Sequence, residues 1–443
     1  PDRALNLSQL LETRLSPSQA VARASTTPGY VGYVIVRPTE YSRIGRCLLD
    51  PLKVQPTLSR FHYGVNLAKY SVNILGHNLI VAAFPHQSQD AEAHICAHTA
   101  VWSVFRYLSQ RYHLYPEIYP YDITTLNPDL SRGRPYPARG LYMDQVTSLF
   151  GHYGVGAEQY DLRMLHLLDN GMDGWASVGP AARDTKMIRM DGSSFSKRDL
   201  RTMLHLLSLY VESGMPPVVG LPGHAAVAVG VAYSDTPLVK RTKGMYRSSD
   251  FAAGVVVNDD NFPPYQLALR SELSLEGVYP RLADEIDSIV VPFPDKIFLT
   301  AEKADFLTTD ILDPLASLRP SGPSVRRMVC TSSKNYREAR LRENDGFTDM
   351  VLREPMPHFL WVTEICDLDG WQQDGSVKVE VVLDATAGQS DEAPFLWIRF
   401  PRRLLLNENR LRDVANPRAI PRMVKSSKDL HISPLRSNLQ YSR

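Results

Sequence analysis

The longest apolar run in the chain, Val218–Tyr233, covers 16 residues and is broken near its middle by Pro222, Gly223 and His224. A helix crossing a bilayer needs about 20 continuous apolar residues, so this run is too short and too interrupted to be one. Split at the break, it leaves two Val- and Ala-rich stretches of strand length around a Pro-Gly turn. A third such stretch follows at Gly254–Asn258. Upstream the apolar spacing is helical. Ile95, Ala100, Val101, Val104, Phe105 and Leu108 recur mostly at three- and four-residue steps, predicting a helix that begins near Cys96. Leu141, Val146, Leu149 and Phe150 predict a second, stopped by Gly151. Ser196 is placed to cap a third, which carries Leu200, Met203, Leu204, Leu207 and Val211 and closes at Gly214. Helices followed by strands predict an α+β fold rather than an alternating, doubly wound sheet.

Composition narrows the function classes. The net charge of +1 over 443 residues leaves no global footprint for nucleic acid or an anionic membrane, so neither partner is expected. With 44% hydrophobic and 22% charged residues, the chain is neither disordered, collagen-like nor a coiled coil. Its four cysteines, Cys47, Cys96, Cys330 and Cys366, form no CxxC pair, which excludes a disulfide scaffold, a zinc ribbon and a thioredoxin motif. Residues 1–10 lack a basic segment followed by an apolar one, so no signal peptide is expected, and isolated thiols suit a reducing, cytoplasmic setting. No repeat or low-complexity tract is present. We divide the chain into an N-terminal extension (1–84), a core (85–270) and a C-terminal α+β extension with a basic tail (271–443). The first segment is expected to hold a helix at Leu5–Leu15 and strands at Gly32–Val36 and Leu79–Phe84. The last is expected to hold a helix at Ala301–Leu318 and strands at His358–Cys366, Val377–Asp384 and Phe395–Phe400, which would extend the core sheet. Pro401–Arg443 carries ten Lys and Arg against three acids. That pattern reads as a solvated, partly extended surface segment or as a docking surface for an acidic protein partner.

Three residues carry candidate chemistry. Cys96 sits at a predicted helix N-terminus, where unpaired N–H groups and the helix dipole stabilise a thiolate, although a lone cysteine is more commonly a buried structural residue. His224 opens a buried strand, a rigid position for a general base. Asp259 ends the Gly254–Asn258 stretch and would share a sheet end with His224 if the two strands pair. Asn258, Asp260 and Asn261 compete for the role of orienting the imidazole, and the segment also reads as a plain turn before Pro263-Pro264.

The order of Cys on a helix start, His opening a strand about 128 residues later, and Asp ending a strand about 35 after that is similar to papain-like cysteine peptidases. The segments resemble most the compact bacterial branch that includes the leader-cleaving (double-glycine) peptidases of bacteriocin exporters. The matching pieces are Cys96-Ala-His-Thr-Ala-Val-Trp102, Arg139-Gly-Leu141, Gly214-Met-Pro216, His224 to Gly230 and Val257-Asn-Asp259, spanning about 180 of the 443 residues. The resemblance implies a papain-like core, with the Cys helix packed on an antiparallel sheet carrying His and Asp. It implies acyl transfer: Cys96 attacks a carbonyl, His224 shuttles the proton, Asp259 orients it, and a thioester is hydrolysed. The substrate would be a protein or peptide, and no cofactor or metal is implied. An amine acceptor would instead make it a transglutaminase-like acyltransferase. Such peptidases carry an oxyanion-hole Gln about six residues before the Cys. That position is Asp90, so Gln89, seven residues before, takes the role, with Gln87 as the alternative. Ala97 replaces the usual Gly, and no transporter or ATPase module is present.

Other readings compete. A catalytically inactive papain-like binding module is compatible with the displaced Gln. His94, Cys96 and His98 form an H-x-C-x-H cluster with two potential zinc ligands four residues apart, but no third ligand follows at a standard spacing. Five tyrosines between Tyr107 and Tyr121 are expected to be packing residues rather than a base-stacking surface. Asp367-Leu-Asp-Gly370 loosely resembles a calcium loop, yet Gln372 and Lys378 stand where Gly and Glu belong, so it reads as a hairpin turn.

Overall fold

The computed structural model describes residues 30–39, 43–54, 61–88, 96–112, 114–125, 141–161, 197–239, 245–273, 279–319, 322–343, 346–372, 377–391, 393–411, 421–427, 432–436 and 438–441. The fold is α+β, built on two large sheets that are antiparallel except for one strand pair. The Leu5–Leu15 helix and the Ser196 cap lie outside the described residues.

The broken apolar run folds as a hairpin. Val218–Leu221 pairs with the first half of His224–Tyr233, and Leu221 faces His224 across a two-residue turn. Pro222 presets one corner, and Gly223 takes the other with φ of 70°, a conformation that favours glycine. Ala252–Asn258 pairs along the other edge of the long strand, and Gln266–Leu269 lies outside it. On the far side, Val218–Leu221 pairs with Ser288–Phe293, which pairs with Gly156–Asp161. The second half of His224–Tyr233 pairs with His62–Asn66, which in turn pairs with Leu439–Tyr441. The boundaries expected at 84 and 270 are therefore not boundaries of the fold, since this eight-stranded sheet draws strands from all three segments.

Both faces of this sheet are covered, which is why its strands read as unbroken Val and Ala rather than as alternating patterns. On one face Ala225, Val227, Val229 and Ala232 share a core with Ala97, Val101, Val104, Phe105 and Leu108 of the Cys96–Tyr112 helix. On the other, Ala226, Ala228, Val231 and Tyr233 share a core with Met203, Leu206, Leu207 and Tyr210 of the Lys197–Glu212 helix. That second core extends through the Ala301–Leu312 helix to one face of a separate seven-stranded sheet, including Trp361, Val379 and Ile398. The opposite face of that sheet packs Val362, Trp397 and Leu404 against Tyr336 of the Ser333–Arg340 helix.

Several local expectations need correction. Phe359–Asp367, Val377–Asp384 and Phe395–Phe400 form this second sheet instead of extending the first. Gly151 lies inside the Met143–His152 helix, and the positive φ that follows the helix belongs to Gly154. The helix from Ala301 ends at Leu312, with a separate 3-10 turn at Ala316–Leu318. Asp367 ends a strand, and Leu368–Gln372 is a short helix rather than a tight hairpin turn. The basic tail is not simply solvated. Arg403–Leu406 and Arg422–Lys425 are strands of the second sheet, and Leu439 is buried beside the first. Among the described residues, no helix is long and apolar enough to cross a membrane.

Candidate active site

Cys96 is the first residue of its helix, so its N–H has no acceptor within the helix and faces the positive end of the dipole. Its side chain is half-buried, whereas Cys47, Cys330 and Cys366 are buried. Burial pushes the Cys47 and Cys366 thiols up to about 12 and raises Cys330 as well, leaving all three poor nucleophiles near neutrality.

The hairpin turn sets His224 at the end of its strand. Asn258 pairs with Val227, so the chain leaves the neighbouring strand beside the start of the His224 strand. Asp259, the next residue, accepts a hydrogen bond from the ring at 2.9 Å between Nε2 and Oδ1. Nε2 is thereby engaged, and Nδ1 is the nitrogen left for other partners; the nearby Cys96 thiol acts on the same ring electrostatically. Burial alone would drive the imidazolium toward neutrality. The hydrogen bonds and negative charge of Asp259 and Cys96 outweigh burial and push its pKa up to about 10. Burial likewise raises Asp259, but His224, Tyr279 and the Asn261 N–H hold its carboxylate below the usual range. Its Oδ1 also accepts from the Asn261 backbone N–H at 2.9 Å, and Oδ2 accepts from the Tyr279 hydroxyl.

Among the four candidates for orienting His224, Asp259 therefore makes the contact. Asn258 donates to the Pro85 carbonyl at 3.3 Å and accepts from the Tyr265 N–H at 2.8 Å. Asn261 contributes its backbone N–H to Asp259. Asp260 lies 3.5 Å from His224 Nε2.

The proposed oxyanion donor Gln89 lies outside the described residues, as do Asp90 and His94. Gln87, its alternative, lines a small cleft with His86, Cys96, Thr99, Ala100, Ser103, Ala225, Asn258 and Asp260. The Arg46 guanidinium donates to Gln87 Oε1 at 3.4 Å, turning the amide so that its NH2 is the end left for other partners. Arg46 itself lies over the rings of Trp102 at 5.5 Å and Tyr119 at 5.3 Å. His86 is fixed by reciprocal backbone hydrogen bonds with Cys47, of 2.8 and 3.2 Å. Burial lowers its pKa to about 4 against the opposing pull of Asp259 and the Phe262 backbone, so the ring is neutral.

His98 is buried, and burial lowers it to about 4. His94 of the His94, Cys96 and His98 cluster lies outside the described residues; among the described residues, only His224, Asp259 and Asp260 have potential metal-ligand atoms close enough together. In that trio the His224 ring is already bonded to Asp259.

Sequence reasoning missed Tyr279, Asp260 as a cleft residue, and the pair Arg46–Gln87. Tyr279 follows Asp259 by 20 residues in an irregular segment, with no periodic signal to bring it back. Arg46 sits on a strand, Ile44–Leu49, that among the described residues pairs with Gly32–Val36 and bridges to His86, so only the folded chain reveals its approach to the cleft. No family model, curated protein or solved structure matches the chain.

Proposed function

We propose that this protein is a cysteine peptidase, or a closely related acyl-transferring enzyme, with a papain-like core and a Cys96–His224–Asp259 triad. The observation that carries the reading is the 2.9 Å hydrogen bond from His224 Nε2 to Asp259 Oδ1, on a ring whose protonation the neighbouring Cys96 thiol also supports. The element types support it too, since the thiol starts a helix while the imidazole and carboxylate come from one end of two paired strands.

In this reading the Cys96 sulfur adds to the carbonyl carbon of a peptide or isopeptide bond, and the carbonyl electron pair moves onto oxygen. His224, kept as an imidazolium by Asp259, gives its Nδ1 proton to the departing amine as the C–N bond breaks. The same ring then takes a proton from the attacking water and releases the acid product from the thioester. The Cys96 backbone N–H and the Gln87 amide are suited to stabilise the oxyanion. An amine in place of water would turn the same cycle into transamidation.

Incubation of the full chain with a library of cellular peptides tests the reading. Turnover detected by mass spectrometry is expected for the wild type, with a loss of about 10³-fold or more in Cys96→Ala and His224→Ala. Turnover that persists in Cys96→Ala overturns it.

A further inference from the structure

Asp260 is 4% exposed, yet it ends in the cleft that Cys96 and Gln87 line. Neither of its carboxylate oxygens has a hydrogen-bond partner among the described residues. Among the described residues, the single opposite charge facing it is His224, whose Nε2 lies 3.5 Å from Oδ1 but donates at 2.9 Å to Asp259. From the segment before the helix comes His86, a neutral ring whose Nε2 is also buried without a partner. From the helix comes Cys96. Among the described residues, no Lys or Arg lines the cleft. A triad poised for attack already places a thiolate and the Asp259 carboxylate around one imidazolium. An ionised Asp260 adds a third anion, and the repulsion persists when attack moves the sulfur's charge onto the oxygen of the tetrahedral intermediate.

We propose that Asp260 acts as a neutral carboxylic acid, donating a hydrogen bond to the oxyanion alongside the Cys96 backbone N–H. This rests on the acyl-transfer reading of the site and deepens it. Protonation removes a charge that would repel the intermediate and converts an unpartnered acceptor into a donor. During turnover the Asp260 proton stays on its oxygen. The Cys96 sulfur bonds to the carbonyl carbon, the π pair moves to oxygen, and that pair returns as the leaving group departs. The electrostatics agree: burial, reinforced by Asp259 and opposed by His224 and by its own backbone N–H, pushes the Asp260 carboxyl up to about 7. The acid is thus available below neutrality and lost above it.

Two probes that react with the same thiolate separate this role from that of the triad. p-Nitrophenyl acetate acylates a thiolate through an oxyanion and expels p-nitrophenolate, which needs no proton. Iodoacetamide alkylates the thiolate by direct displacement of iodide, with no oxyanion. Both reactions of Cys96 in the full chain are followed by mass spectrometry from pH 6 to 8. The ratio of acylation to alkylation cancels thiolate content and access. It is expected to fall about tenfold across that range in the wild type, as a single acid with its midpoint near neutrality titrates. In Asp260→Asn, whose amide donates at every pH, the ratio is expected to be flat, as it is for N-acetylcysteine. A wild-type ratio that is flat or rises with pH overturns the proposal while rapid alkylation leaves the triad standing. Alkylation of Cys96 no faster than that of N-acetylcysteine overturns the triad and the proposal together. If Asp260→Asn does not fold, the wild-type ratio decides alone.

Discussion

The imidazole of His224 donates to the Asp259 carboxylate with the Cys96 thiol nearby, and that carboxylate accepts two further hydrogen bonds, from the Asn261 N–H and the Tyr279 hydroxyl. Such a ring holds its proton well above the usual histidine range, with a pKa near 10. NMR titration of His224 is expected to show an imidazolium persisting through pH 9. In Asp259→Asn, the charge and much of the support are gone, and deprotonation is expected at least about one pH unit lower. Titration of the wild-type ring near its model-peptide position would contradict this. Asp260 carries the opposite sign. Its carboxyl titrates near 7 in the fold and near 3.8 when unfolded. Its contribution is neutral below about pH 4, turns unfavourable as pH rises through that range, and is fully unfavourable above about pH 7. Asp260→Asn is expected to stabilise the protein by ~1–3 kcal/mol at pH 8 and by nothing at pH 4, read as the difference in denaturant unfolding. At this scale the three residues of the proposed triad were legible because they sit at element ends that the residue pattern marks: a helix start, a turn, a strand end. The supporting groups were not, because Tyr279, Asp260 and Arg46 reach the site through loops and strand pairings that leave no periodic trace.

At the scale of elements, the strands at Val377–Asp384 and Phe395–Phe400 fall where apolar patterning puts them, and the Cys96 and Lys197 helices have their expected faces in the two cores. Pairing was another matter. A strand buried on both faces is uniformly apolar, so its sequence names no neighbour, and partners distant in the chain are chosen by the packing of the whole. Gly230 shows the constraint. It crosses Gly64 so closely that an added Cβ would lie 2.4 Å from the Gly64 carbonyl oxygen. Gly230→Ala is expected to cost ~2 kcal/mol or more by forcing the His62–Asn66 strand away, measured as a lower midpoint in denaturant unfolding. The Cys96–His224 contact lies at the other end of the same strand. Rapid Cys96 alkylation is therefore expected to survive in the folded fraction.

At the scale of the molecule, the segments 1–84, 85–270 and 271–443 interleave. The sheet that carries His224 is completed by strands from both ends of the chain. The Lys197–Glu212 helix joins it to the second sheet, and Glu212 accepts from Arg327 of that sheet at 2.7 Å. Arg327 is one end of a buried array in which Arg340 pairs with Glu364 at 2.9 Å and, with Arg399, clamps Glu380. Composition and charge counts could not disclose this array, because its charges balance within the core. Breaking one member leaves a buried carboxylate short of a partner. Arg340→Met is expected to destabilise the fold by ~3–5 kcal/mol, seen as a large drop in unfolding free energy at pH 7.

The account turns on whether the Cys96 sulfur is activated by His224. The direct measurement is the rate of iodoacetamide alkylation at pH 7 on the native full chain, resolved over the four cysteines by mass spectrometry. Cys96 is predicted to be modified selectively, faster than N-acetylcysteine, and to slow by about tenfold or more in His224→Ala. Equal labelling of Cys47, Cys330 and Cys366, or a Cys96 rate unchanged in His224→Ala, would contradict it.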